Sequence, residues 1–389
     1  VNARTSPGWV ALLTGWLALF VIGTDLFVVS PLLPVWRARF DVSLRTAGLS
    51  VTVFAVAYVL AAPAWGRRAA SASPQNVLTL ALVGFCAFNL LTAFAPDFGV
   101  LLAARGGAGL FVSGATATVF TLVGLSAPGD RRASWLGIAT SGLLSALWAG
   151  APLGSLLARH TSWRAVFVGL SVLALGIMAA SRRVWPAGGA AGAGGSSSMS
   201  PLDRCRAVAP TACWGAAVYG LYTYLAAGLD DRSRWSTAWV NALLVAYGLS
   251  AVAATFLGGR IADRRGAHHT TWVALGLLGA AEVVFAVSLR GAVPLGCLAI
   301  ALVALAAYTA FPAKQAELIA RHPDDQARLM AWNQSAMYLG ITVGSLAGGR
   351  IADGHFTELP LACAAIALVG AAVQLSAPSR PAPPPRPPA

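Results

Sequence analysis

The chain has 389 residues, of which 57% are hydrophobic and 11% charged, and its formal net charge is +13. A soluble domain carries about 25% charged residues, so the composition excludes an ordinary soluble fold. The basic balance does not indicate nucleic acid either: the arginines stand in ones and twos at the ends of apolar runs, Lys314 is the only lysine, and no basic stripe is present for a phosphate backbone to follow.

Apolar runs alternate with short charged loops about twelve times along the chain. A run of ~20 residues at 1.5 Å rise crosses the ~30 Å hydrocarbon core of a bilayer. The expected spans are 9–29, 45–65, 76–95, 98–125, 134–157 and 164–181, then 209–228, 237–257, 271–289, 292–313, 329–349 and 358–376. The first run is no signal peptide: it is too long, holds Asp25 and lacks a small-residue cleavage site. Pro31, Pro34, Pro96, Pro128, Pro294, Pro323 and Pro360 punctuate the runs. Tryptophans such as Trp9, Trp65, Trp135, Trp163, Trp185 and Trp272 sit near expected ends, as an interfacial belt requires.

The stretch 186–201 is rich in Gly, Ala and Ser and divides the spans six and six. The expected organisation is therefore an all-α membrane protein of twelve helices: an N-terminal bundle over 1–185, a linker over 186–208, a C-terminal bundle over 209–376 and a proline-rich disordered tail over 377–389. Both termini and the even-numbered connections carry more Lys and Arg than the other side, which places them in the cytoplasm. Four of the five cysteines (Cys86, Cys213, Cys297, Cys363) lie in apolar runs and Cys205 does not; no CxxC pair or Cys/His cluster points to disulfides or a metal.

The two halves repeat. Val56-Ala57-Tyr58-x-Leu60-x-Ala62 returns as Val245-Ala246-Tyr247-x-Leu249-x-Ala251, and Gly150-x-x-x-Gly154-Ser155-Leu156 returns as Gly340-x-x-x-Gly344-Ser345-Leu346. Repeats of this kind are common in transporters. The stripes Gly150/Gly154 and Gly340/Gly344/Gly348 are small-xxx-small faces that let membrane helices approach closely. Each stripe taken alone reads as ordinary helix packing, and the matched placement in the fifth and eleventh spans adds the reading of corresponding contacts between the halves.

Gly23-Thr24-Asp25-Leu26-Phe27 through Pro34 resembles the first-helix signature of the major facilitator superfamily, within it the twelve-span bacterial drug:proton antiporters and sugar-efflux permeases. Pro96-Asp97-Phe98 and Leu101-Leu102-x-x-Arg105-Gly106-x-x-Gly109 resemble the start of its fourth helix. Gly150-Ala151-Pro152-Leu153-Gly154 with Trp163-Arg164-x-x-Phe167 resembles its antiporter motif. Gly259-Arg260-Ile261-Ala262-Asp263-Arg264-Arg265-Gly266 resembles its cytoplasmic loop motif. The resemblance implies that Gly259, Asp263, Arg264 and Gly266 form a conformational latch. The matching stretch of the first half departs from the pattern: Ala70 stands in the place of the aspartate and Ser73 in that of the second glycine.

Ionisable groups inside spans are costly, about 2.5–3.5 kcal/mol each at a helix centre on insertion scales, and mark function by default. Asp25, Arg105 and Glu282 qualify. Asp25 lies ~24 Å from the start of its span and Arg105 ~10 Å in from the other face, so their depths differ by only ~4 Å. A coupling role follows, in which Arg105 holds the carboxylate ionised when close and permits protonation when the helices part. The alternative is a static ion pair, or an Asp25 hydrated near the outer interface. Glu282, in a helix that is peripheral in the resembled family, is either a neutral or hydrogen-bonded acid or a second protonation site.

Tyr219, Tyr222 and Tyr224 with Trp214, and Trp332, Asn333, Gln334 and Tyr338, are the aromatic and amide residues of the seventh and eleventh spans. They suit a greasy, polar-edged solute or simple packing; Tyr219, Tyr222, Asn333 and Gln334 are the cavity candidates. No Walker loop is present, and all five histidines fall in expected loops away from any nucleophile. The expected activity is therefore non-enzymatic: a monomeric, proton-coupled exporter of small amphipathic molecules in a bacterial inner membrane, needing no cofactor or metal beyond the proton gradient. A sugar or polar-metabolite permease and a non-transporting membrane sensor are the alternatives.

Overall fold

The structure, a computed structural model, describes residues 8–127, 132–185, 199–230, 235–322 and 326–377. Pro128, Pro323, the linker residues 186–198 and the tail residues 378–389 lie outside the described residues. Fourteen α-helices are described: α1 (Gly8–Phe27), α2 (Val29–Phe40), α3 (Leu44–Ser71), α4 (Pro74–Ala93), α5 (Phe98–Ser126), α6 (Arg132–Ser145), α7 (Ala151–His160), α8 (Trp163–Val184), α9 (Pro201–Asp230), α10 (Thr237–Arg265), α11 (Ala267–Ser288), α12 (Val293–Arg321), α13 (Gln326–His355) and α14 (Leu359–Ser376). α1 with α2, and α6 with α7, are broken single crossings, so the fourteen helices make twelve crossings in two halves of six. Ten of these crossings are long and apolar enough to span a bilayer. The more polar α9 and α13 supply the other two and are packed together, so their polarity is covered inside the protein. Large apolar side chains such as Leu60, Val172 and Leu298 are exposed on the outside, as a lipid-facing surface requires.

Helices start where side chains cap them. Ser43, Ser73, Asp97, Ser162 and Ser236 each accept a hydrogen bond from a backbone N–H of the first turn. The prolines work within this scheme: Pro74, Pro294 and Pro360 fall in first turns, where no intrahelical N–H is lost.

Three expectations are corrected. The first span does not stop at 29, because α2 continues to Phe40 after a bend at Val28. Pro31 causes the bend: it has no N–H for the carbonyl of Phe27 and its ring crowds that carbonyl. The freed Phe27 oxygen accepts from the Tyr222 hydroxyl of α9 at 3.3 Å, and Ser30 Oγ donates to the Tyr222 carbonyl at 2.5 Å. The seventh span begins at Pro201 and not at 209, so residues 201–208 of the expected linker are helical; Pro210 is carried inside α9. His268 and His269 are in the first turn of α11 and His160 is the last residue of α7, and so not in loops.

A fourth correction concerns the glycine stripes, which do not join the halves. A β-carbon at Gly150 or Gly154 would strike Thr24 or Val28 of the first crossing, and one at Gly340 or Gly344 would strike the Ala212 or Ala216 carbonyl of α9. Each stripe seats its helix on the first helix of its own half, and the repeat makes the two contacts equivalent.

The halves meet elsewhere. Thr52 Oγ1 and Ser345 Oγ share a hydrogen bond of 2.8 Å between α3 and α13, and a β-carbon at Gly48 of α3 would strike the Tyr224 ring of α9. Between α6–α7 and α10, the chain runs through one π-helical turn, Ala146–Gly150, just before Pro152. A π-turn absorbs a proline within a helix. It presses the backbone of Leu147 and Trp148 against Gly248, where a β-carbon would sit 2.6 Å from the Leu147 carbonyl carbon. The ties at Ser30, Thr52 and Tyr224 lie in the half of the bundle away from the face where α1 begins, here the amino-terminal face.

Candidate transport site

α1 and α5 bring Asp25 and Arg105 together. Arg105 Nη1 donates to Asp25 Oδ1 at 2.6 Å and Nη2 to the Asp25 carbonyl at 3.3 Å. Asp25 is 0% and Arg105 1% exposed, so the pair is sealed from solvent. The guanidinium lies over the Phe54 ring at 4.8 Å and the Phe167 ring at 5.8 Å, which holds it by cation–π attraction. The engagement is incomplete: Asp25 Oδ2 and Arg105 Nε have no hydrogen-bond partner. The lengthened first crossing also moves Asp25 inward. It is ~26 Å from Gly8 and ~22 Å from Phe40 along the helix axis, at mid-depth and away from either interface.

Beyond Asp25 lies a ring pair that joins the halves. Tyr58 of α3 stacks on Tyr338 of α13 with centroids 3.5 Å apart, and Tyr338 is within electrostatic reach of Asp25. Tyr58 also lines a cavity of about 200 Å³ that runs between α3, α5 and α13 to Gly66 and Pro74, near the amino-terminal face. Trp65, Ser113, Thr116 and Gln334 line it. Of the four cavity candidates, only Gln334 reaches this space.

Tyr219 and Tyr222 are buried in aromatic packing, with Phe27 at 6.0 and 5.6 Å and with Trp214 and Tyr247. Asn333 accepts from Thr211 Oγ1 at 2.6 Å and ties α13 to α9. The sequence marks Tyr58 only as part of the repeat and Trp65 only as a belt residue, and does not mark Thr116 at all. Tyr58 and Trp65 are seven apart in α3, and Ser113 and Thr116 three apart in α5. Each pair thus shares a helix face, a spacing that reveals the lining once the two helices are known to be neighbours.

Most of the expected loop motif is helical: Gly259, Asp263 and Arg264 lie in the last turns of α10, and only Gly266 stands between α10 and α11. Gly266 has φ +86° and ψ 136°, caps α10 and starts α11. That backbone favours glycine. Gly266→Ala is expected to cost about 1–3 kcal/mol, read as a lower unfolding midpoint in detergent; an unchanged midpoint would show that the loop adopts another path. The first half needs no such glycine, since Ala72 and Ser73 turn the chain in extended conformations and Ser73 caps α4. Gly259 faces open space, whereas its neighbour Gly258 abuts the Thr309 backbone of α12. Asp263 and Arg264 are exposed.

Two polar groups of the C-terminal half complete the inventory. Glu282 of α11 is turned inward, 0% exposed, and neither carboxyl oxygen has a hydrogen-bond partner; it is neither lipid-facing nor hydrogen-bonded to a neighbouring helix. Lys314 donates to Glu317 at 3.1 Å and to Gln374 at 2.9 Å, while His268 and Arg321 each lie 2.9 Å from Glu317. This network pins α11, α12 and α14 together near the amino-terminal face. It is hard to read from the sequence, because its members are spread over a hundred residues and only Lys314 is unusual. Among the described residues no group of three or more His, Cys, Asp and Glu could hold a metal ion.

Known proteins share this plan. The sequence profile of the Major Facilitator Superfamily matches residues 15–227 and again 211–389. An uncharacterised MFS-type transporter of Bacillus subtilis, YceJ, is 25% identical over 347 residues, covering 85% of this chain and 86% of the relative. A chloramphenicol resistance protein of Streptomyces lividans is 28% identical over 256 residues, or 64% of this chain and 65% of the relative. A probable sugar efflux transporter of Pasteurella multocida is 29% identical over 248 residues, or 63% and 61%. The crystal structure of a bacterial homologue of the human lysosomal transporter Spinster, inward-facing and unoccupied, superposes with a TM-score of 0.73 at 15% identity, covering 94% of this chain and 96% of that one. Twelve crossings in two repeated halves, and a family profile matched across nearly the whole length, make this chain a member of the major facilitator superfamily, a membrane transporter and not an enzyme.

Proposed function

We propose that the chain exports small amphipathic compounds in exchange for protons, by alternating access between its two six-helix halves. The observation that carries this reading is the Asp25–Arg105 pair: a buried carboxylate at mid-depth, held at 2.6 Å by one oxygen and open at the other. A static pair gains most when every donor and acceptor is satisfied. A pair that must exchange a proton needs an oxygen not already held by a donor, a partner that can withdraw and a path to solvent, and separating α1 from α5 would supply the last two conditions. Names among the relatives, chloramphenicol resistance and sugar efflux, support export of small solutes.

With the amino-terminal face in the cytoplasm of a bacterial inner membrane, the cavity below Tyr58 faces inward and the ties at Ser30, Thr52 and Tyr224 close the outside. Asp263 and Arg264 would engage when the halves rock to the outward-facing state, with Gly266 as the fixed end of that latch. Gly150, Pro152 and Gly154 would let the first and fifth crossings move as one body: the glycines give close seating, and the proline places the π-turn at the Gly248 contact. The halves over 1–185 and 209–376 then move as units joined by the linker.

Everted vesicles with an imposed proton gradient test the reading. Addition of an amphipathic aromatic solute is expected to release protons, with no response to sugars. A sugar response alone would move the assignment to a sugar permease, which the amide and hydroxyl edges of the cavity favour. No response to either class would contradict coupled export.

A further inference from the structure

The walls of the cavity between α3, α5 and α13 narrow the chemistry of what it holds. Tyr58 and Trp65 offer flat rings, Ser113, Thr116 and Gln334 offer polar edges, and among the described lining residues none carries a carboxylate, guanidinium or ammonium group. Gln334 Oε1 is buried there without a hydrogen-bond partner among the described residues, and Thr116 Oγ1, on a residue only 4% exposed, has just the Tyr58 hydroxyl beside it. Buried polar atoms are nearly always paired, so each unpaired one needs an explanation.

The nearest intramembrane charges do not serve this space. Arg105 is engaged with Asp25, and neither residue lines the cavity. A charged solute would lose its water and meet no counter-charge among the described lining residues. A neutral solute loses far less and can satisfy both oxygens, the Gln334 carbonyl by donating an N–H or O–H. The volume, about 200 Å³, is below the ~300–1,000 Å³ of sites for drug-sized ligands, which favours one or two rings.

We propose that this cavity is a binding site for an uncharged one- or two-ring amphiphile with an O–H or N–H donor, its ring set against Tyr58 and Trp65 and its donor on Gln334 and Thr116. The site discriminates against organic cations and anions of the same shape by the absence of a compensating charge among its described lining residues. This rests on the export reading, which names amphipathic solutes without fixing their charge.

The test is equilibrium dialysis at neutral pH with the full chain in lipid nanodiscs, corrected by protein-free nanodiscs. The probes are 2-naphthol, 2-(aminomethyl)naphthalene and 2-naphthalenesulfonate, which share a ring system and are neutral, cationic and anionic. Saturable binding of 2-naphthol is expected, with both charged probes weaker by about tenfold or more, equivalent to ~1.4 kcal/mol. Ala117→Trp, which fills the cavity, is expected to abolish binding. Gln334→Leu is expected to weaken it about tenfold, by removing the acceptor; this gentler change keeps the test valid should Ala117→Trp fail to fold.

Equal or tighter binding of either charged probe overturns the proposal. So does the absence of saturable 2-naphthol binding, or binding indifferent to Gln334→Leu. Because no gradient is applied, intact 2-naphthol binding without proton release in vesicles sinks the export reading alone, and proton release with a preference for a charged probe sinks this proposal alone.

Discussion

Arg105→Ala is expected to destabilise the folded transporter by about 3–5 kcal/mol, the cost of stranding one partner of a buried ion pair. The guanidinium is the only counter-charge within hydrogen-bonding distance of Asp25 among the described residues, and it also fills the space between Phe54 and Phe167. The variant therefore loses a charge partner and a packed side chain together. Replacing both members, Asp25→Leu with Arg105→Met, is expected to recover much of that loss, because no buried charge is left without its partner. Thermal unfolding can be followed with a thiol-reactive dye, since Cys86 and Cys363 are buried, after Cys205 has been replaced to remove its exposed background. A double variant no more stable than Arg105→Ala would show that packing, and not the unpaired carboxylate, sets the penalty.

Gly344→Val is expected to cost about 3 kcal/mol, the upper range for overpacking. The obstacle is backbone: a β-carbon at 344 would collide with the Ala216 carbonyl of α9 and lie 2.9 Å from the Ala216 Cα. A side chain can rotate away, but a helix backbone must shift as a whole, so α13 would be lifted from α9 and from Thr52 across the interface. Gly276→Val is the matched control, with nothing within 4 Å of its β-carbon, and should move stability by about 0.5 kcal/mol or less. Similar unfolding midpoints for the two variants would contradict the close seating of α13 on α9.

Most of the architecture was legible in the sequence because the bilayer makes a demanding signal: each crossing needs a long apolar run, and the loops must hold the charge. Even α9 and α13 were found by that pattern. Features that depend on contact partners were not legible. The stripes at Gly150 and Gly340 announce close helix contacts, yet a stripe does not name its partner; the partners are within each half. Pro31 reads as a break, but the Tyr222 hydroxyl that takes up the freed Phe27 carbonyl is far away in sequence. That hidden compensation lengthened the first crossing and moved Asp25 from near an interface to mid-depth.

The candidate site divides in the same way. Asp25 and Arg105 stood out because charge is rare in a span, and equal depth made their pairing reasonable. The tyrosines of α9 stood out for their density, but density reflects packing here, and Tyr58, Trp65 and Thr116 line the cavity instead. Ionisable residues advertise themselves in an apolar sequence, whereas neutral lining residues become visible only when three helices are brought together.

The most direct measurement of the central claim is solute flux in proteoliposomes carrying Asp25→Asn, comparing proton-driven net transport with solute exchange at equal solute on both sides. Asparagine keeps the size and hydrogen bonding of the side chain but takes up no proton. If Asp25 couples the two fluxes, proton-driven accumulation falls by about a hundredfold or more, roughly 2.7 kcal/mol of lost driving force, while exchange continues. Proton-driven accumulation at the unaltered rate in Asp25→Asn would contradict the account and leave the Asp25–Arg105 pair a structural bridge.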